Sequence, residues 1–200
     1  MTEARVPRLS PTAAKVAAEG AGVPEFMADL SVFQVLLHHP RLARAVNDLL
    51  AVLLWESRLE ARLRELAIMR IAWLTGSEYE WAQHWRVARG VGLADADLVG
   101  VRDWQAHASF GPSERAVLAA TDEVVGEGAI STRTWQACVR HLGDDPHVLL
   151  ELVAALGAWR MIASLLHSLD VPLEDGVASW PPDNLRPRHA TPTSTNEDRF

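Results

Sequence analysis

From Leu66 to Leu74 every residue except Arg70 is apolar. A helix with no polar face must be buried on all sides, so this segment belongs at the centre of whatever the chain folds into. Thr75-Gly76 follows it. Gly76 can adopt the left-handed conformation that ends such a helix, and Ser77 can cap the next one. Residues 57–92 therefore predict two helices turned back on each other, with the rest of the chain packed around them.

The flanking sequence repeats one kind of signal. Ser57 and Glu60 have capping-box spacing, which predicts that the central helix begins near Arg58; the second arm runs to about Arg89 and stops at Gly90 or Gly92. Leu42, Ala45, Val46, Leu49, Leu50, Val52, Leu53 and Leu54 recur at helical spacing between Arg41 and Trp55. Ser10-Pro11 reads as a cap and first-turn proline for a short helix to about Glu19, broken at Gly20-Ala21-Gly22. A second short helix spans roughly 25–38, with His38-His39 placed to satisfy its C-terminus. Asp95, Pro112, Ser131 and Asp145-Pro146 each start another helix, ending near Val101, Val125, His141 and Leu169. No segment alternates with period two, so the expected fold class is all-α.

At 200 residues, about half of them apolar, the chain suits one domain over residues 10–170. Residues 1–9 read as a flexible arm. Residues 171–200 turn to Pro, Asp, Asn, Arg, Thr and Ser and read as a largely disordered tail, with Trp180-Pro181-Pro182 its only sticky point. A net charge of -7 with scattered Lys and Arg argues against nucleic acid. Cys138 is the only cysteine, which removes an intrachain disulfide, a CxxC pair and a Cys-based zinc site. The amino terminus has no apolar signal region, and no run reaches the roughly 18 uncharged residues of a membrane span. The expected setting is the cytoplasm, with no membrane contact.

Glu80 and His84 are four apart on one helix face, where a carboxylate can orient an imidazole, and Ser77 lies on the same edge. Across the turn, Glu65 lies roughly 16 Å before Gly76 and His84 roughly 12 Å after it, within one helical turn in height. A carboxylate in an apolar helix must find a partner or shift its pKa upward. Glu65, Glu80 and His84 thus form a candidate acid/base cluster. The tryptophans Trp73, Trp81, Trp85, Trp104, Trp135 and Trp159 read as core, the Trp81 and Trp85 pair as core or subunit interface. A metal at Glu80 and His84 would need further ligands that no spacing supplies.

The run RELAIMRIAWLTGSEYEWAQHWRVARGVGL closely resembles the carboxymuconolactone decarboxylase family, which shares its all-helical fold with alkylhydroperoxidase D. The resemblance rests on Arg64-Glu65, the apolar helix, Thr75-Gly76, Tyr79-Glu80-Trp81, His84, Ala88 and Gly92, and is strongest over residues 40–105. It implies an alkylhydroperoxidase D-like helical bundle with a central helical hairpin. Aligned on His84, the peroxidase branch's glutamate falls on Glu65 and its two cysteines on Ser77 and Glu80. Both sulfurs are gone, and peroxide reduction needs a thiolate; a thiol peroxidase would have to use Cys138 alone.

The decarboxylase branch implies a cofactor-independent lyase or isomerase acting on a small carboxylate or lactone. In that reading His84, Glu80 and Glu65 are catalytic, Ser77 and Tyr79 bind substrate, and Arg70, Arg86 or Arg89 holds a substrate carboxylate. No cofactor and no metal are expected. The family also implies a homo-oligomer, a trimer or a hexamer, with sites near subunit contacts. The alternative is a non-enzymatic small-molecule-binding or assembly member of the fold.

Overall fold

The computed structural model describes residues 4–188. Among these the chain is helical throughout its regular structure, with helices α1 (Pro11–Ala21), α2 (Ser31–Leu36), α3 (Pro40–Trp55), α4 (Ala61–Thr75), α5 (Glu78–Gly90), α6 (Asp95–Gly100), α7 (Pro112–Glu127), α8 (Thr132–Leu142) and α9 (Pro146–Ser168). Short 3-10 turns cover Glu25–Asp29 and Val101–Asp103.

The central position of α4 follows from its composition, because it lies between two cores. Leu63, Ala67, Ile68 and Ile71 join the larger one, with α1, α2, α3, α7 and α9. Leu66, Met69 and Ala72 join a smaller one with Trp81, Trp85, Leu98, Leu118 and Trp180. Each large aliphatic side chain so buried stabilises the fold by about 1.5–3 kcal/mol. Arg70, the one charge in the apolar run, reaches Asp122 at 2.6 and 3.1 Å and donates to the Val101 and Arg102 carbonyls. Its charge is neutralised and its donors are used, as burial demands.

Gly76 ends α4 at φ 71°. Its N–H bonds the Trp73 carbonyl and the Ser77 N–H bonds the Ala72 carbonyl, the paired closure of a Schellman turn. That turn sends α5 back along α4. Glu65 and His84, nineteen residues apart, are thereby brought to one level.

Three local expectations are corrected. The start of α4 is not a capping box: Glu60 is the N-cap residue without a side-chain bond, and Ser57 Oγ donates instead to Glu151 Oε2 on α9 at 2.8 Å. A carboxylate brought in by α9 beside three donors, Ser57 Oγ–H and the Arg58 and Leu59 N–H groups, outcompetes the local cap. His39 caps the start of α3 by accepting from the Leu42 N–H, rather than closing the preceding helix. Trp135 stays 36% exposed, outside the core. Helix α9 is by length and composition long and apolar enough to cross a membrane, although Glu151 and Arg160 interrupt its apolar run; here its Leu149, Leu152, Leu156 and Trp159 face serves the core.

The two ends of the chain are pinned. Arg5 bonds the Leu169 carbonyl through its N–H and Asp170 through its guanidinium, and the Leu9 N–H bonds the Gln34 carbonyl. Residues 171–188, read from composition as loose, form a strap across the α4–α5 hairpin. Trp180 is 1% exposed, its ring 6.1 Å from that of Trp73 and 5.8 Å from that of Trp81. The Trp81 indole N–H donates to the Pro181 carbonyl at 2.7 Å, and Asp183 takes both terminal nitrogens of Arg102. Trp180 itself sits at φ 41°, a backbone that costs about 1–3 kcal/mol and persists because the indole is buried. A polar composition hid one large apolar anchor. The disorder expected of the last stretch concerns residues 189–200, which lie outside the described residues, as do residues 1–3.

Candidate active site

His84 is where the hairpin's two arms meet chemically. Its Nδ1 lies 2.7 Å from Glu65 Oε2, and its Nε2 accepts from the Trp159 indole N–H at 2.9 Å. An indole can only donate, so Nε2 carries the lone pair and Nδ1 the proton that Glu65 accepts. The second Glu65 oxygen accepts from Arg64 Nε at 3.1 Å. Glu65 is fully buried, and Arg64 is 5% exposed. Burial alone would push the Glu65 carboxyl upward, yet the hydrogen bonds from His84 and Arg64, together with the Arg64 charge, outweigh it and leave the group below its ordinary range. Glu65 is therefore a carboxylate that orients a histidine.

The carboxylate expected in that role was Glu80, and the structure corrects this. Glu80 shares a helix face with His84 but makes no hydrogen bond: both of its oxygens are buried without a partner. Packing gives His84 a better-aligned acceptor from the facing helix. Burial pushes the Glu80 carboxyl up to about 8, and the nearby Ser77 hydroxyl moderates the rise without completing a hydrogen bond of its own. At neutral pH Glu80 is thus a protonated acid in a dry setting.

Ser77 is buried at the N-cap of α5. Tyr79 is engaged elsewhere: its hydroxyl donates to Glu174 Oε1 of the strap at 2.5 Å, and burial beside that carboxylate raises its pKa well above normal. The Ser31 N–H and Gln83 also donate to Glu174. The three arginines considered for a substrate carboxylate all have partners: Arg70 holds Asp122, Arg86 bonds Gln83, and Arg89 pairs with Asp95 at 3.0 Å. Trp159 is the residue that sequence reasoning missed. It lies on α9, and no local spacing ties it to His84.

Cys138 is buried on α8, with its thiol toward the Ala116 carbonyl. Burial and the Glu123 charge push it up to about 11, so it is not a thiolate near neutrality. Among the described residues no group of three or more His, Cys, Asp or Glu side chains is arranged to hold a metal ion.

The all-α bundle with its Glu–His pair on a central hairpin is an alkylhydroperoxidase D-like fold. An alkylhydroperoxidase core protein from Ralstonia eutropha JMP134, described as an uncharacterized peroxidase-related protein, superposes with a TM-score of 0.70 at 17% identity, covering 88% of this chain and 94% of its own. The debrominase Bmp8, in a complex with 2,3,4-tribromopyrrole, superposes with a TM-score of 0.67 at 15% identity over 85% of this chain and 91% of its own. A peroxidase-related protein from Silicibacter sp. TM1040 gives 0.64 at 12% identity, over 80% and 82%. No curated protein matches at the sequence level. Residues 40–123 match the model of the carboxymuconolactone decarboxylase family.

Proposed function

We propose that the protein is a cofactor-independent acid/base enzyme, a lyase or isomerase acting on a small carboxylate or lactone. The observation that carries this reading is the pairing of opposite proton states on one hairpin. His84, held through Nδ1 by Glu65, presents an unprotonated Nε2, while Glu80, four residues away, holds a proton that burial keeps on it. Environments that push neighbouring titratable groups apart divide acid from base.

In the decarboxylation form, the C–C bond to a substrate carboxylate breaks and releases CO2. The electron pair passes into a conjugated enolate, which needs a hydrogen-bond donor on its oxygen and a proton on carbon. Glu80 supplies the proton, and the Glu80 carboxylate so formed is reprotonated from solvent, while His84 Nε2 accepts from a substrate O–H and orients it. In the isomerisation form, His84 Nε2 removes a proton from carbon, Glu65 stabilises the resulting imidazolium, Glu80 returns a proton at another carbon, and exchange with solvent then takes the proton from His84 and restores one to Glu80. The fold neighbour crystallised with a tribromopyrrole supports a small, planar, cyclic substrate.

Self-association belongs to the same proposal. Leu42, Leu49, Val52 and Trp55 leave an exposed apolar stripe along α3, with Phe26 edge-on to Trp55 at 5.9 Å.

The test is turnover of a panel of unsaturated lactone acids and their ring-opened forms, followed by loss of conjugated absorbance and release of CO2. His84→Ala and Glu80→Gln should each abolish conversion while circular dichroism shows a folded protein. Full activity in both variants sinks the assignment. A second reading, a non-enzymatic binder or assembly protein, is favoured by one observation: both ring nitrogens of His84 already have partners within the chain. It predicts that the wild-type protein converts nothing in the panel, and that the two substitutions change only the melting temperature.

A further inference from the structure

The Trp159 indole is 2% exposed, and its N–H donates to a histidine seventy-five residues away. The two rings meet edge to face, with centroids 5.6 Å apart and planes at 81°. A buried indole N–H needs an acceptor. This one takes the only free lone pair of a histidine whose other nitrogen serves a buried carboxylate.

We infer that Trp159 is a positioning residue that holds His84 Nε2 as an unprotonated acceptor and covers its lone pair until a substrate donor replaces the indole N–H. This rests on reading His84 as the base of the site. Glu65 fixes the proton on Nδ1. Trp159 opposes the imidazolium, because a second proton on Nε2 would set N–H against N–H across 2.9 Å. Between them the two partners select one tautomer of the neutral ring. Losing either releases the ring to rotate or to exchange tautomers.

The arrangement also defines the chemistry of the group that comes to Nε2. Whatever displaces an indole N–H from a lone pair must itself donate: an enol or hydroxyl O–H, a ring N–H, or a carbon acid activated by a neighbouring carbonyl. A substrate carboxylate would face the lone pair with its own and be repelled. The substrate therefore approaches His84 through its acidic proton, and its carboxylate is directed elsewhere.

Ring-15N-labelled histidine in the full chain tests this without any substrate. The wild-type protein should show His84 as a single tautomer at neutral pH, with Nδ1 protonated and Nε2 bare, and a Trp159 indole proton that exchanges slowly. Trp159→Phe keeps the bulk and removes the N–H. In it the His84 Nε2 resonance should move to that of a free acceptor. Diethylpyrocarbonate should acylate His84 roughly tenfold faster, the scale of one lost hydrogen bond, while the exposed His141 and His147 keep their rates. An Nε2-protonated tautomer in the wild type overturns the inference, and so does an unchanged Nε2 resonance and acylation rate in folded Trp159→Phe. If that variant does not fold, the wild-type tautomer and the indole exchange rate decide. Because neither readout uses turnover, the tautomer can be refuted while the acid/base assignment stands, and the reverse also holds.

Discussion

Glu65 and Glu80 are buried carboxyls on the two arms of one hairpin, and the chain satisfies the first while leaving the second with no partner at all. Glu65 has His84 and Arg64 at 2.7 and 3.1 Å; neither Glu80 oxygen has a partner. The same degree of burial yields a carboxylate in one place and a carboxylic acid in the other, and their stability effects have opposite signs with pH.

For Glu80 the folded pKa, about 8, lies above the 4.5 of a free glutamate. Below about pH 4.5 both folded and unfolded chains hold the proton, and burial of the neutral acid carries no ionisation penalty. As pH rises toward 8 the unfolded chain loses that proton first and stability falls, by roughly 3 kcal/mol at pH 7. Glu80→Gln keeps the shape and abolishes the slope. Thermal unfolding from pH 5 to 8 should give a flatter profile for the variant, with the variant above wild type at pH 8. Parallel curves would mean that Glu80 is ionised in the fold.

Glu65 behaves in the other sense. Its folded pKa is lowered, so the stability it confers is present above the unfolded value of 4.5 and disappears as pH falls through the folded one. Glu65→Ala leaves the buried Arg64 guanidinium without its carboxylate and should cost about 3–5 kcal/mol in urea titrations at pH 7. The gap between wild type and variant should narrow in acid. A cost below about 1 kcal/mol would contradict the buried pairing.

Trp180 is the anchor of the strap. Trp180→Ala empties a site walled by Trp73 and Trp81 and should lower stability by about 3–5 kcal/mol, the cost of truncating a buried aromatic. A loose tail would lose almost nothing. Denaturant midpoints separate the two, and limited proteolysis between residues 171 and 188 should accelerate in the variant.

Cys138 should behave as a core side chain. Ellman's reagent should titrate it only after unfolding, because burial and Glu123 keep it protonated to about pH 11. Cys138→Ser should leave any turnover unchanged. Rapid labelling of the native protein, or a peroxide-consuming activity lost in the serine variant, would contradict this.

The sequence alone determined the helical class, the hairpin, its turn and the burial of α4. These depend on periodicity and on a glycine at one position, which are local properties: an apolar run without a polar face has one stable place, and Gly76 closes a helix wherever that helix sits. Glu65, Glu80 and His84 were also legible as a cluster, since rise per residue sets their height along the hairpin. The assignment of partners within it was not. Four-residue spacing put Glu80 in reach of His84, yet the rotation of α4 against α5 gave His84 to Glu65, and α9 brought Trp159 to the remaining nitrogen. The docking of residues 171–188 was likewise hidden, because the strap's composition is polar and its binding depends on a slot that exists only after Trp73 and Trp81 have packed. Spacing fixes which side chains share a face of one helix. Which of them meet across helices depends on crossing angles and axial rotation, set by the whole core at once, and only the tertiary structure decides that.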